Sequence, residues 1–125
     1  MRVAVVGASE DRAKFGNKAV RAFRRAGHDV VPINPHCAGG ARPIEGLETY
    51  RSVADVPGPL DVATLYVHPL VGEQVLEEIA AKGIPELWVN PGAESDALLR
   101  RARALGLDAR LQCSILAIDE SPASY

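Results

Sequence analysis

Residues 2–9 read RVAVVGAS, and this stretch decides the fold. Arg2 to Val6 is a short β-branched run without polar alternation, the pattern of a strand buried on both faces of a parallel sheet. Gly7 ends it. From Lys14 to Ala26, apolar residues recur at Phe15, Ala19, Val20, Phe23 and Ala26, which puts them on one face of a helix. Gly27 closes that helix at its carboxyl end. Asp29 to Ile33 (DVVPI) reads as the second strand, ended by Asn34-Pro35.

The same alternation continues downstream. His36 to Gly46, with Gly39, Gly40 and Pro43, reads as a turn or mobile loop. Leu47 to Val56 is a short connection in which Ser52 to Asp55 predicts one helical turn. Asp61 to Val67 (DVATLYV) is the third strand, ended by His68-Pro69, and Val71 to Lys82 is a helix closed by Gly83. Glu86 to Val89 is the fourth strand, ended by Asn90-Pro91-Gly92. Ser95 to Leu105 is a helix with Ala97, Leu98, Ala102 and Leu105 inward. Ala109 to Cys113 is the last strand, with further strand material expected over Ile115 to Ile118. The polar tail Asp119 to Tyr125 is expected to fray. Strand–helix alternation of this kind predicts an α/β, Rossmann-like three-layer fold: a parallel sheet of about five strands flanked by helices. A length of 125 residues fits a single domain over 1–125.

Composition narrows the function. The hydrophobic fraction is 47% and the charged fraction 24%, ordinary for a soluble domain with its own core. The net charge of −2 supplies no global positive field, so nucleic acid is not an expected partner. No apolar run approaches the roughly 20 residues that span a bilayer, so no membrane is expected and the cytoplasm is the default location. Cys37 and Cys113 form no CxxC pair, and His28, His36 and His68 show no ligand spacing, so no metal site is expected.

Open parallel sheets bind ligands beyond the carboxyl ends of their strands, where strand order reverses. The residues at those ends are Gly7-Ala8-Ser9, Asn34-Pro35, His68-Pro69 and Asn90-Pro91-Gly92. Proline stiffens such a rim and holds the preceding residue extended. Gly7 permits close backbone approach, the Ser9 hydroxyl can donate to a phosphate oxygen, and the following helix start adds free N–H groups. Arg12 and Lys14 lie within reach of the same phosphate. A nicotinamide dinucleotide fits less well: G-x-G-x-x-G needs a glycine at position 9, where Ser9 stands, and the ribose-binding acid after the second strand is replaced by Asn34. No catalytic constellation emerges. Ser9 has no identifiable base, and His68 suits a ligand contact or a cap better than acid–base work.

The strings VAVVGAS, KFGNKAVRAFRRAGHDVVPINP, TLYVHP, WVNPGAES and LQCSILAI, in this order along nearly the whole chain, resemble the small stand-alone CoA-binding domain proteins, the YccU-like group. These are similar to the nucleotide-binding N-terminal domain of the succinyl-CoA synthetase alpha subunit. The resemblance implies a Rossmann-like sheet that binds coenzyme A through its ADP part. Gly7, Ala8 and Ser9 would cradle phosphate, and Arg12 and Lys14 would fall in the basic loop contacting it. Asn34 and Pro35 would lie next to the adenosine, and Tyr66, Val67, His68 and Pro69 would flank the CoA.

The chain departs from the family where a basic residue often follows the N-P of the second strand, here His36, and where many members carry Asp-Arg-Cys, here Leu111-Gln112-Cys113. The synthetases' phosphorylated histidine belongs to a later domain, so the resemblance does not imply synthetase activity. The leading expectation is a non-catalytic module binding CoA or acyl-CoA, serving a partner enzyme or forming a homodimer. The alternatives are an NAD(P)- or other nucleotide-dependent enzyme, and a degenerate domain whose surface binds a protein.

Overall fold

A computed structural model describes residues 1–38 and 43–125. Five strands, β1 (Arg2–Val6), β2 (Asp29–Ile33), β3 (Val62–Leu65), β4 (Glu86–Val89) and β5 (Asp108–Leu111), form one sheet in the order β2-β1-β3-β4-β5. Every pairing is parallel. The helices are α1 (Phe15–Arg25), α2 (Pro69–Lys82), α3 (Asp96–Ala104) and the short α4 (Ser114–Ala117). This is the expected α/β, Rossmann-like arrangement. Among the described residues no helix is long and apolar enough to cross a membrane.

The strand run RVAVV buries both its faces, as its lack of alternation requires. Val3 and Val5 pack with Ala19, Val20 and Phe23 of α1 and with Ile115 of α4. Ala4 and Val6 pack with Leu76 and Ile79 of α2 and Leu98 of α3. Helices therefore cover both sides of the sheet, as parallel strands with crossover connections demand. The chain steps from β1 outward to β2, then returns to place β3 on the other side of β1. Strand order reverses there, between β1 and β3.

The structure corrects several expectations. Strand β3 ends at Leu65 rather than Val67, and α2 begins at Pro69 rather than Val71. His68 accounts for the second change: its Nδ1 accepts the Leu70 N–H (3.1 Å) as an N-cap, and Pro69 takes the first helical position, where its missing N–H costs nothing. Residues Ile115 to Ile118 are not strand; Ser114–Ala117 form the helix α4, which seals the α1 side of the sheet with Ile115. Phe15 is not core but 55% exposed. The tail is anchored rather than frayed, because Tyr125 packs on the α1-side core and its ring lies under the Arg21 guanidinium. The connection from β2 to β3 carries the expected single turn, a 3₁₀ turn at Val53–Asp55. The loop expected around Gly39 and Gly40 lies partly outside the described residues.

Candidate functional site

Two backbone hydrogen bonds fix the turn after β1. The Gly7 N–H donates to the Ile33 carbonyl (3.1 Å), and the Tyr66 N–H donates to the Val6 carbonyl (2.8 Å). Gly7 thus sits at the reversal point, spanning β2 and β3. Its φ of +91° suits glycine, and a β-carbon there would meet the Tyr66 carbonyl oxygen at 2.5 Å. Gly16, in the first turn of α1, rests on the Gly7 carbonyl. It therefore does the close-packing work of a fingerprint glycine, although its spacing from Gly7 hides that in the sequence.

Helix α1 presents an open amino end. Lys14 makes no side-chain cap, no acidic residue lies in the first turn, and the Phe15 and Gly16 N–H groups have no partner among the described residues. Unsatisfied N–H groups and the helix dipole together favour an anion at this point. Exposed Lys14 borders the cavity at this point and adds a positive charge there.

Three cavities adjoin one another along this edge. The first, about 290 Å³, lies beyond β1 and β2 and is walled by Val6, Ile33, Val53, Val71 and Val75, with Asn34, Pro35, His36, Arg51 and Glu78 at its polar margin. The second, about 310 Å³, is bordered by Gly7, Lys14, Phe15, Gly16, His68 and Gly92. It shares Gly7 and Val67 with the first. The third, about 220 Å³, lies between Phe15, Tyr66, Asn90, Pro91 and Cys113 and shares Phe15, Tyr66 and Pro91 with the second. Side by side across the carboxyl ends of β2, β1, β3 and β4, the three line a groove that is apolar at its β2 end and faces the open amino end of α1 in its middle.

The expected site residues divide into those that line the groove and those that build it. Gly7, Lys14, Asn34, Pro35, Tyr66, Val67, His68, Asn90, Pro91 and Gly92 line it. Ala8 is fully buried and offers its carbonyl to the Asn34 Nδ2 (2.8 Å). Ser9 is outside the cavity walls; its Oγ accepts the Asp11 N–H (3.0 Å) and its carbonyl accepts from the buried Asn17 Nδ2 (2.8 Å). Arg12 pairs with Glu45 (3.4 Å) and does not border the groove. Pro69 serves as the first residue of α2.

Two asparagines that read as ligand contacts have internal duties. Asn34 donates to Ala8 and accepts the His36 N–H at Oδ1 (2.8 Å), tying the β1 and β2 turns together. Asn90 is 2% exposed. It donates to the Thr64 Oγ1 (2.7 Å) and the Leu65 carbonyl (2.8 Å) and accepts the Ser114 N–H (2.8 Å). Phe15, Gly16, Arg51, Val71, Val75, Glu78 and Cys113 border the groove without having been singled out by sequence.

The Tyr66 hydroxyl is buried beside the Thr64 and Ser114 hydroxyls but completes no hydrogen bond of good geometry among the described residues. Burial pushes its phenol above the ordinary tyrosine range, so it stays protonated and is a poor acid–base group at neutral pH. His68 spends Nδ1 on the helix cap, which requires that nitrogen to be unprotonated and leaves Nε2 as the donor.

Residues 1–118 match the CoA binding domain. The chain belongs to the CoA binding domain family. It is 34% identical over 82 residues to an ADP-forming acetate–CoA ligase of Methanocaldococcus jannaschii, a match spanning 66% of this chain and 11% of that ligase. A conserved hypothetical protein of Pyrococcus furiosus superposes with a TM-score of 0.84 at 37% identity, covering 93% of this chain and 97% of the other. The dinucleotide-forming acetyl-coenzyme A synthetase 1 of Ca. Korarchaeum cryptofilum, in complex with phosphate and ADP, superposes at 0.71 with 31% identity, covering 90% of this chain and 25% of the synthetase. The chain is thus related to a domain of much longer ligases, and spans only a fraction of their length.

Proposed function

We propose that this chain binds coenzyme A or an acyl-CoA along the groove at the carboxyl edge of the sheet, as a single non-catalytic domain of the cytoplasm. The observation that carries the reading is the adjacency of three cavities, the first two sharing Gly7 and Val67 as lining and the last two sharing Phe15, Tyr66 and Pro91. An adenine fits the apolar cavity between β2 and α2, the pyrophosphate meets Lys14 and the amino end of α1, and the pantetheine arm follows the groove toward Tyr66, Pro91 and Cys113. Val71 and Phe15, apolar side chains 45% and 55% exposed, gain cover from such a ligand. The neutral, enclosed Tyr66 phenol and the capping His68 favour binding over chemistry.

Thermal unfolding with saturating CoA, acetyl-CoA, ADP, NAD and NADP tests this. A ligand at 100 times its Kd stabilises by about 2.7 kcal/mol. CoA and acetyl-CoA should raise the midpoint well beyond NAD, and a Lys14→Glu substitution should shrink the shift. Stabilisation by NAD alone, or by none of the compounds, would overturn the reading.

A further inference from the structure

The wall of the cavity beyond β2 holds a cation that forms no ion pair among the described residues. Tyr50 continues the sheet by one rung: its N–H donates to the Pro32 carbonyl (3.1 Å), and its own carbonyl accepts the Asn34 N–H (2.9 Å). This bridge carries Arg51 and Ser52 past the end of β2, beside Asn34 and Pro35, where both border the cavity. Arg2, Arg12, Arg101 and Arg110 each face a carboxylate. Arg51 is exposed and has no hydrogen bond or ion pair among the described residues. Glu78 borders the same cavity from α2, but the two form no ion pair.

Position and charge together specify a ligand group. In a Rossmann-like site the residue after the second strand meets the ribose. Asn34 stands there, yet both ends of its amide are committed to Ala8 and His36. Of the polar side chains at this margin, the Arg51 guanidinium is the permanent cation without a partner among the described residues, a planar donor fork suited to phosphate oxygens. From this we infer that Arg51 selects nucleotides carrying a phosphomonoester on the ribose, the 3′-phosphate in the case of CoA. The inference rests on the CoA reading and adds the determinant that separates CoA from dephospho-CoA, ADP and NAD.

Calorimetric titration of the 125-residue chain with CoA and dephospho-CoA tests it, with adenosine 3′,5′-bisphosphate and adenosine 2′,5′-bisphosphate distinguishing the two phosphate positions. The unsubstituted protein should bind CoA about tenfold or more tighter than dephospho-CoA, as one charge-assisted contact provides. Arg51→Gln should bring that ratio to near unity, Arg51→Lys should recover part of it, and Arg100→Gln on the exposed face of α3 should keep it. Equal binding of CoA and dephospho-CoA by the unsubstituted protein, an undiminished ratio in Arg51→Gln, or preference for the 2′-phosphate would overturn the inference while leaving the CoA groove intact. Failure of both CoA and dephospho-CoA to bind would remove the groove reading as well.

Discussion

The carbonyl oxygen of Gly7 lies 2.2 Å from where a β-carbon on Gly16 would stand, so the first turn of α1 rests directly on the turn after β1. The obstacle is backbone on both sides and cannot move aside as a flexible side chain would. Gly16→Ala should therefore push α1 off the sheet and destabilise the fold by about 3 kcal/mol, at the upper end of overpacking costs. The midpoint of urea unfolding measures this. A loss under about 1 kcal/mol would show that the helix start accommodates a methyl group.

Tyr66→Phe should behave differently. The Tyr66 hydroxyl is enclosed beside the Thr64 and Ser114 hydroxyls, which bond each other, and it completes no hydrogen bond of good geometry among the described residues, so removing it relieves a desolvation cost that this weak contact offsets poorly. Thermal unfolding should give a midpoint equal to or above that of the unsubstituted chain, by up to about 1 kcal/mol. A drop would mean that the hydroxyl has a partner in solution.

Asn90 is the opposite case. Its amide joins β3, the end of β4 and the start of α4 through three hydrogen bonds. Asn90→Ala strands the Ser114 N–H and the Leu65 carbonyl out of water, and we expect a loss of about 3 kcal/mol. Chemical denaturation checks it. A near-neutral result would contradict the structural role assigned to this side chain.

His28 gives a pH dependence. Burial, and then the neighbouring amino terminus, lowers its pKa from the ordinary 6.5. The unfolded chain therefore takes up the proton more readily than the folded one. Stability is fully present above about pH 6.5 and is lost as pH falls through the lower folded-state value. His28→Gln should flatten the fall in unfolding temperature between about pH 7.5 and 5.5. Parallel curves for the two proteins would contradict this.

Sequence reading reached the fold well because β1, β2 and β4 are buried runs with sharp turn signals, and strand and helix alternate. It failed at Ile115–Ile118, an apolar run too short to show a period; the Ser114 N–H donates to the Asn90 Oδ1 at the start of α4, and the run turns into that helix instead. Phe15 misled for a related reason. It falls on the apolar face of α1, but it stands in the first turn, beyond the sheet that would cover it. At the site, strand-end residues were legible because parallel topology puts them on one edge. Arg51 was not, because a long-range bridge between Ile33 and Tyr50 brings it there. Nor was the division of labour between Lys14, which borders the groove, and Arg12, which pairs with Glu45.

The most direct test of CoA binding in the groove is a nitrogen-15 correlation spectrum recorded during titration with CoA. The backbone amides of Gly7, Phe15, Gly16 and Val67 should shift together and saturate with one Kd, while those of Leu107 and Ala109, at the far end of the sheet beside α3, should stay in place. Shifts confined to Leu107 and Ala109, or none at saturating CoA, would contradict the placement of the ligand on the Gly7 turn.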